Sequence, residues 1–235
     1  MMHLRNLILV LLICCFSPTA SSETPKNSVK QWEPDIRAFE FSDKTNRPPA
    51  NPILFIGSSS FRIWKTVAAD FPEYKVVNRG FGGSQIFEIN YYFKRIVKPY
   101  HPKTIVFYAG DNDLGRGRSS EEVFHDFKTF VEKTHWALPK TKILFISIKP
   151  SLARWKNKDN IMRANQLIEA YAREKEYVDY VDVFAPMLDK EGLPQKDLFL
   201  KDGLHMNRKG YELWISILKP VFKELEQEQA ASGRK

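Results

Sequence analysis

Short apolar runs alternate along this chain with longer stretches whose apolar positions recur at helical spacing. A short run bounded by Gly or Pro reads as a buried strand, and a three-to-four-residue recurrence reads as one face of a helix. Pro52 to Ile56, ending at Gly57, predicts the first strand. Lys75 to Asn78 predicts the second, closed by the turn Arg79-Gly80-Phe81-Gly82-Gly83. Thr104 to Tyr108 predicts the third, entering Ala109-Gly110-Asp111-Asn112-Asp113. Lys142 to Ile148 and Tyr180 to Phe184 predict the fourth and fifth. Between them, Phe61 to Asp70 has helical spacing. Ile86, Ile89, Phe93, Ile96 and Val97 mark a helix face that stops at Pro99. Ser120 with early acids starts a helix whose inner face runs Val123, Phe127, Phe130, Val131, Thr134. Asn160 to Tyr177 predicts another. Asn207 can cap a last helix carrying Tyr211, Trp214, Ile215 and Leu218.

Five buried strands alternating with helices imply a parallel sheet covered on both faces, a three-layer α/β/α sandwich. In such sheets the loops leaving the carboxyl ends of the strands form the ligand crevice. Residues 51–225 make one domain, with no internal repeat. Residues 23–50 are a polar lead with a short helix over Glu33 to Phe41, ended by Asn46-Arg47-Pro48-Pro49, and residues 226–235 read as a polar tail.

Residues 1–22 pair a charged start with the apolar run Leu7 to Phe16 and a small-residue exit, the signature of a cleaved secretory leader. The run is shorter than the ~20 residues that span a bilayer, so no stable membrane insertion is expected. Export to a periplasm or out of the cell is therefore the expectation. Leu12-Ile13-Cys14-Cys15 also loosely resembles a lipoprotein box that would place a lipid on Cys15, although Cys14 fits the preceding position poorly. Both cysteines fall in this leader, so disulfide staples and thiolate metal sites drop out of the mature chain. The net charge of +8 is scattered beside acids rather than gathered into a stripe with aromatics, which argues against nucleic acid as a partner.

Candidate chemistry collects on the predicted crevice loops. Gly57-Ser58-Ser59-Ser60-Phe61 sets serines where the first strand gives way to a helix, as a nucleophile or as ordinary helix caps. Arg79 to Ser84 is either a tight turn or a nest of backbone N–H groups around an oxyanion. No Gly-x-x-x-x-Gly-Lys is present to hold a nucleotide phosphate. Gly110-Asp111-Asn112-Asp113 offers an amide donor, an Asx turn or ligands for a hard cation, and too few acids recur elsewhere for a dedicated metal site. Asp202-Gly203-Leu204-His205 places a carboxylate and an imidazole three residues apart, the pair that activates a serine when the acid orients the base. His101, His125 and His135 read as surface or satisfied-core residues rather than catalytic ones, and Trp64 and Trp214 as core. Lys149, Arg154, Trp155 and Lys156 follow the fourth strand and can rim the crevice beside an anionic or sugar group, with a solvated loop as the favoured reading.

A Ser block, a Gly block, a Gly-x-Asn-Asp block and Asp-x-x-His, in that order over residues 52–222, resemble the SGNH hydrolase superfamily of GDSL-type esterases, lipases and acylhydrolases. The resemblance implies a flavodoxin-like fold and a serine carboxylic-ester hydrolase. It implies Ser59 as nucleophile, with its N–H, the Gly83 N–H and the Asn112 side chain as oxyanion donors. His205 would be the general base and Asp202 its orienting acid, with no metal and no organic cofactor. Ser58 stands where the family usually carries Asp, which leaves three adjacent serines. Ser58-Ser59-Ser60 followed by Phe61-Arg62-Ile63-Trp64 is most similar to bacterial members resembling platelet-activating-factor acetylhydrolase and lysophospholipase. The implied substrate is a small-molecule or polysaccharide ester carrying a short acyl group such as acetyl. An acyltransferase or thioesterase using the same residues, and a non-catalytic carbohydrate-binding protein of this fold, stand as alternatives. Oligomeric state is not readable from the chain.

Overall fold

The computed structural model describes residues 29–232. The expected leader, Cys14 and Cys15 lie outside the described residues. Five strands form one all-parallel sheet in the order β2-β1-β3-β4-β5, with β1 Ile53–Gly57, β2 Val76–Gly80, β3 Thr104–Tyr108, β4 Lys142–Ile146 and β5 Val178–Val181. The chain winds outward from β1 in both directions, so the crevice between β1 and β3, at the carboxyl edge, is where the topology reverses.

Alternation along the central strands divides the core in two. Leu54, Ile56, Ile105, Phe107, Ile143 and Phe145 face one side. There they pack under α1 (Glu33–Thr45), α4 (Ile86–Ile96), α6 (Ser120–Ala137) and α7 (Lys158–Arg173). Ile53, Phe55, Val106, Tyr108, Leu144 and Ile146 face the other side. That face is covered by α2 (Ser59–Ile63), α3 (Val67–Asp70) and α8 (Arg208–Ser232). Phe55, Phe61, Trp64 and Trp214 form an aromatic knot there, with Phe55 edge-on to Phe61 at 5.1 Å. Trp64 and Trp214 are core, as expected, and His101, His125 and His135 are exposed.

Several element bounds differ from the expectation, and three of the differences have a visible cause or consequence. The single helix over Phe61 to Asp70 is two short ones, because the Asn78 side chain on β2 donates to the Phe61 and Trp64 carbonyls and ends α2 early. The fifth strand lies earlier than Tyr180 to Phe184. After Val181 the Asp182 carboxylate and the Ser147 hydroxyl both accept from the Phe184 N–H, which turns the chain out of the sheet. The last helix continues through the polar end to Ser232, and Glu226 pairs with Lys103. Ser119, one residue before the expected cap, closes a capping box with Glu122 at the start of α6. The polar lead is packed rather than loose. Arg95 on α4 reaches Glu33 and Glu40 on α1, and Trp32 meets Phe81 edge-on at 5.8 Å.

Candidate active site

Ser59 follows β1, Gly83 follows β2, Asn112 follows β3, and Asp202 and His205 both follow β5, so all gather at the carboxyl edge of the sheet. Ser59 comes one residue after the β1–α2 junction residue Ser58 and opens α2. Ser58 and Ser60 are buried and Ser59 is partly exposed. Ser58 occupies the cap position but makes no side-chain cap bond, so the capping alternative for this block does not apply. The neighbouring backbone is drawn tight. A Cβ on Gly57 would lie 2.0 Å from the Tyr108 carbonyl oxygen, so only glycine lets β3 approach β1 this closely at the mouth of the crevice.

The loop before α8 carries Asp202 and His205. Asp202 Oδ1 accepts from the backbone N–H groups of Leu204 and His205, both at 2.9 Å, an Asx turn that folds the imidazole back over its own acid. His205 Nδ1 lies 2.6 Å from Asp202 Oδ2, and His205 Nε2 lies 3.0 Å from Ser59 Oγ. Partial desolvation raises the Asp202 carboxyl, but hydrogen bonds from the His205 ring and from the Leu204 and His205 N–H groups outweigh it and bring it down to about 2. An ionised carboxylate only accepts, so the ring proton belongs on Nδ1. Nε2 then holds a lone pair facing the serine hydroxyl. This is the arrangement in which an imidazole takes a proton from a serine.

Gly83 and Asn112 flank the same mouth. A Cβ built on Gly83 would sit 3.7 Å from both Nδ2 and Oδ1 of Asn112, so the two positions are neighbours. The turn's need for glycine rests on Gly82, which has φ +43° and would drive a Cβ into the Trp32 ring at 1.7 Å. Asn112 Nδ2 donates to the Ser84 carbonyl at 3.2 Å and has a second N–H to offer. Asp111 and Asp113 do not converge on a cation. Asp111 faces Lys149 and Arg154, while Asp113 accepts from the Ile86 N–H.

The loop after β4 departs most from expectation. Lys149 is 1% exposed, with its Nζ 3.6 Å from Asp111 Oδ2. The Arg154 guanidinium bonds the Asp111 carbonyl, lies 3.0 Å from Asp111 Oδ1 and donates to Asn112 Oδ1 at 3.0 Å. The solvated-loop reading therefore fails for Lys149 and Arg154, because a buried Asp111 between them holds both inward. Lys156 is exposed, and Trp155 is half-buried against Phe184. The same loop also touches the acid–base segment: the Ala153 N–H donates to the Gly203 carbonyl at 3.0 Å. Sequence spacing carried no sign of these contacts. The available hint was two cations after a strand whose neighbouring loop holds Asp111. Among the described residues no helix is long and apolar enough to cross a membrane.

The sequence profile of the GDSL-like lipase/acylhydrolase family matches residues 56–213. No curated protein matches the chain. Among solved structures, a Streptococcus pneumonia protein provisionally assigned as a platelet activating factor superposes with a TM-score of 0.73 at 23% identity, covering 83% of this chain and 95% of that one. A GDSL-like lipase from Bacteroides thetaiotaomicron superposes at 0.69 and 21% identity, covering 80% and 97%. A family 3 carbohydrate esterase from Talaromyces cellulolyticus does so at 0.59 and 17%, covering 75% and 98%. At these identities the superpositions speak for the α/β/α fold.

Proposed function

The chain belongs to the GDSL-like lipase/acylhydrolase family, within the SGNH hydrolases, and is an ester-bond hydrolase; from that premise we propose that it removes short acyl groups, acetyl first among them, from a carbohydrate or lipid through an acyl-Ser59 intermediate. The observation that carries the mechanism is the hydrogen-bonded row Asp202–His205–Ser59, with links of 2.6 and 3.0 Å.

His205 Nε2 takes the Ser59 proton as Oγ bonds to the ester carbonyl carbon. The carbonyl oxygen becomes an oxyanion, received by the N–H groups of Ser59 and Gly83 and the free amide N–H of Asn112. As the tetrahedral species collapses, the ester C–O bond breaks and His205 returns the proton to the leaving alcohol. Water, deprotonated by His205, then attacks the acyl-enzyme. Ser59 leaves with its proton restored and the carboxylic acid departs. Asp202 stays ionised throughout and stabilises the imidazolium. Ser58 is buried and outside this row, so the serine that replaces the family's usual Asp does not interrupt the proton path.

The leaning towards acetyl is supported by the lack of a long insertion that would lid a fatty chain, and by the sugar-ester chemistry named for one of the similar folds. Export is part of the same reading and rests on the pattern of residues 1–22.

A panel of p-nitrophenyl esters of rising acyl length, acetylated xylan and lysophospholipid tests the proposal. Turnover falls with acyl length, and Ser59→Ala lowers kcat by about 10⁶-fold. Absence of turnover across the panel by folded wild type, or undiminished turnover in Ser59→Ala, overturns the proposal. Transfer to a sugar hydroxyl outrunning hydrolysis moves the reading to an acyltransferase.

A further inference from the structure

An amide side chain serves as an oxyanion donor only when its nitrogen faces the substrate. Rotation by half a turn about the Cβ–Cγ bond exchanges Nδ2 and Oδ1, and would aim a partial negative charge at the developing oxyanion. Asn112 sits on the short helix α5 (Asp111–Gly115), and its amide is pinned at both ends. Nδ2 donates to the Ser84 carbonyl at 3.2 Å, and Oδ1 accepts from Arg154 Nη2 at 3.0 Å. The flipped amide would press Oδ1 against the Ser84 carbonyl and its NH₂ against a guanidinium, repulsive at both contacts.

We propose that Arg154 is a positioning residue: its guanidinium holds the Asn112 amide with the nitrogen towards the oxyanion. Arg154 is itself held. Its Nη1 bonds the Asp111 carbonyl and lies 3.0 Å from Asp111 Oδ1, while the other carboxylate oxygen of Asp111 faces buried Lys149 at 3.6 Å. The guanidinium lies flat over Gly115, where an added Cβ would come within 2.7 Å of its Cζ and Nη1. Lys149, Asp111, Arg154, Asn112 and Ser84 thus make one continuous polar row from the loop after β4 to the crevice. The row carries two cations and one anion, and the excess positive charge stands behind the place where negative charge develops. Because both flanking cations already face Asp111, and Arg154 also serves Asn112, substrate recognition is not their first duty. This inference rests on the esterase reading and on Asn112 as a donor.

The test is a double-mutant cycle on p-nitrophenyl acetate hydrolysis, with Arg154→Ala, Asn112→Ala and the pair. Asn112→Ala is expected to lower kcat by about 10²–10³-fold. Arg154→Ala is expected to lower kcat by at least about tenfold with little change in KM, an effect on the transition state rather than on substrate binding. In the Asn112→Ala background, loss of Arg154 costs less than about twofold, because the amide it positions is gone. Equal fold losses from Arg154→Ala in both backgrounds, or a loss confined to KM, overturn the proposal.

Gly115→Ala supplies a second route, since it displaces the guanidinium without removing any polar group. It is expected to lower kcat in wild type and to have no effect on Arg154→Ala, whereas an unchanged kcat counts against positioning. The two readings fail separately. Wild type without turnover sinks the esterase, whereas active wild type with an indifferent Arg154→Ala sinks only this inference.

Discussion

The two sides of the crevice solve the problem of holding a polar group in different ways. On one side Asp202 and His205 are side chains 47% and 23% exposed, three residues apart, ordered by two backbone N–H groups of their own loop. On the other side Lys149 and Asp111 are 1% and 8% exposed, and Arg154 reaches across 42 residues of sequence to Asn112. The exposed side is a local turn whose geometry survives on hydrogen bonds to backbone, with solvent screening what charge remains. The buried side is a non-local network in which every charge depends on its partner, because desolvation makes an unpaired ion costly. Changes on the exposed side should therefore fall on catalysis, and changes on the buried side should fall on folding as well.

The largest effects belong to the exposed side. His205→Ala is expected to lower kcat by about 10⁶-fold. Asp202→Asn should lower it by about 10⁴-fold, since an amide can no longer dictate the ring tautomer. Urea unfolding should move by less than about 1 kcal/mol in either variant, as for exposed pairs elsewhere. Asp202→Asn with a large stability loss would erase the contrast between the two sides. Next comes Lys149→Met on the buried side. Burial pushes the Lys149 ammonium below its usual range, Asp111 partly restores it, and the pair holds only while both members are present. Removing the cation should cost about 3 kcal/mol of unfolding free energy. A cost below about 0.5 kcal/mol would mean that Arg154 alone satisfies Asp111 and that the buried row is not cooperative.

The same contrast governs what could be read from the chain. Asp202-Gly203-Leu204-His205 was legible because an Asx turn sets a pair three residues apart without help from the fold. The five parallel strands and the loops bearing Ser59, Gly83 and Asn112 are legible in the chain because burial on both faces leaves unbroken apolar runs. Arg154 was not, since its contact with Asn112 exists only after β3 and β4 pair. The early end of β5 was hidden for a related reason. Val183 and Phe184 look like strand residues, but the Ser147 and Asp182 side chains capture their N–H groups. Trp64 falls within the helical spacing of Phe61 to Asp70, and the Asn78 side chain that interrupts the helix there is supplied only by the folded sheet.

Asp113 gives the finest test, because it is the buried counterpart of Asp202. Asp113 is wholly inaccessible, accepts one backbone N–H from Ile86 at 3.1 Å, and leaves its second oxygen without a hydrogen-bond partner. Desolvation raises its carboxyl from 3.8 to about 7, against the lowering by the Ile86 N–H and Arg118. The native state therefore keeps a proton that the unfolded chain releases as pH climbs above 4. Bound protons are then more numerous in the native state, so stability falls with rising pH across this window and levels off above 7. From pH 5 to pH 7 the loss from this group comes to about 2 kcal/mol. Asp113→Asn is a neutral isostere and removes that slope. Urea unfolding at both pH values should show wild type losing about 2 kcal/mol more than Asp113→Asn. Equal slopes would mean that Asp113 is ionised in the folded protein, and that the buried side tolerates an unpaired charge as readily as the exposed side does.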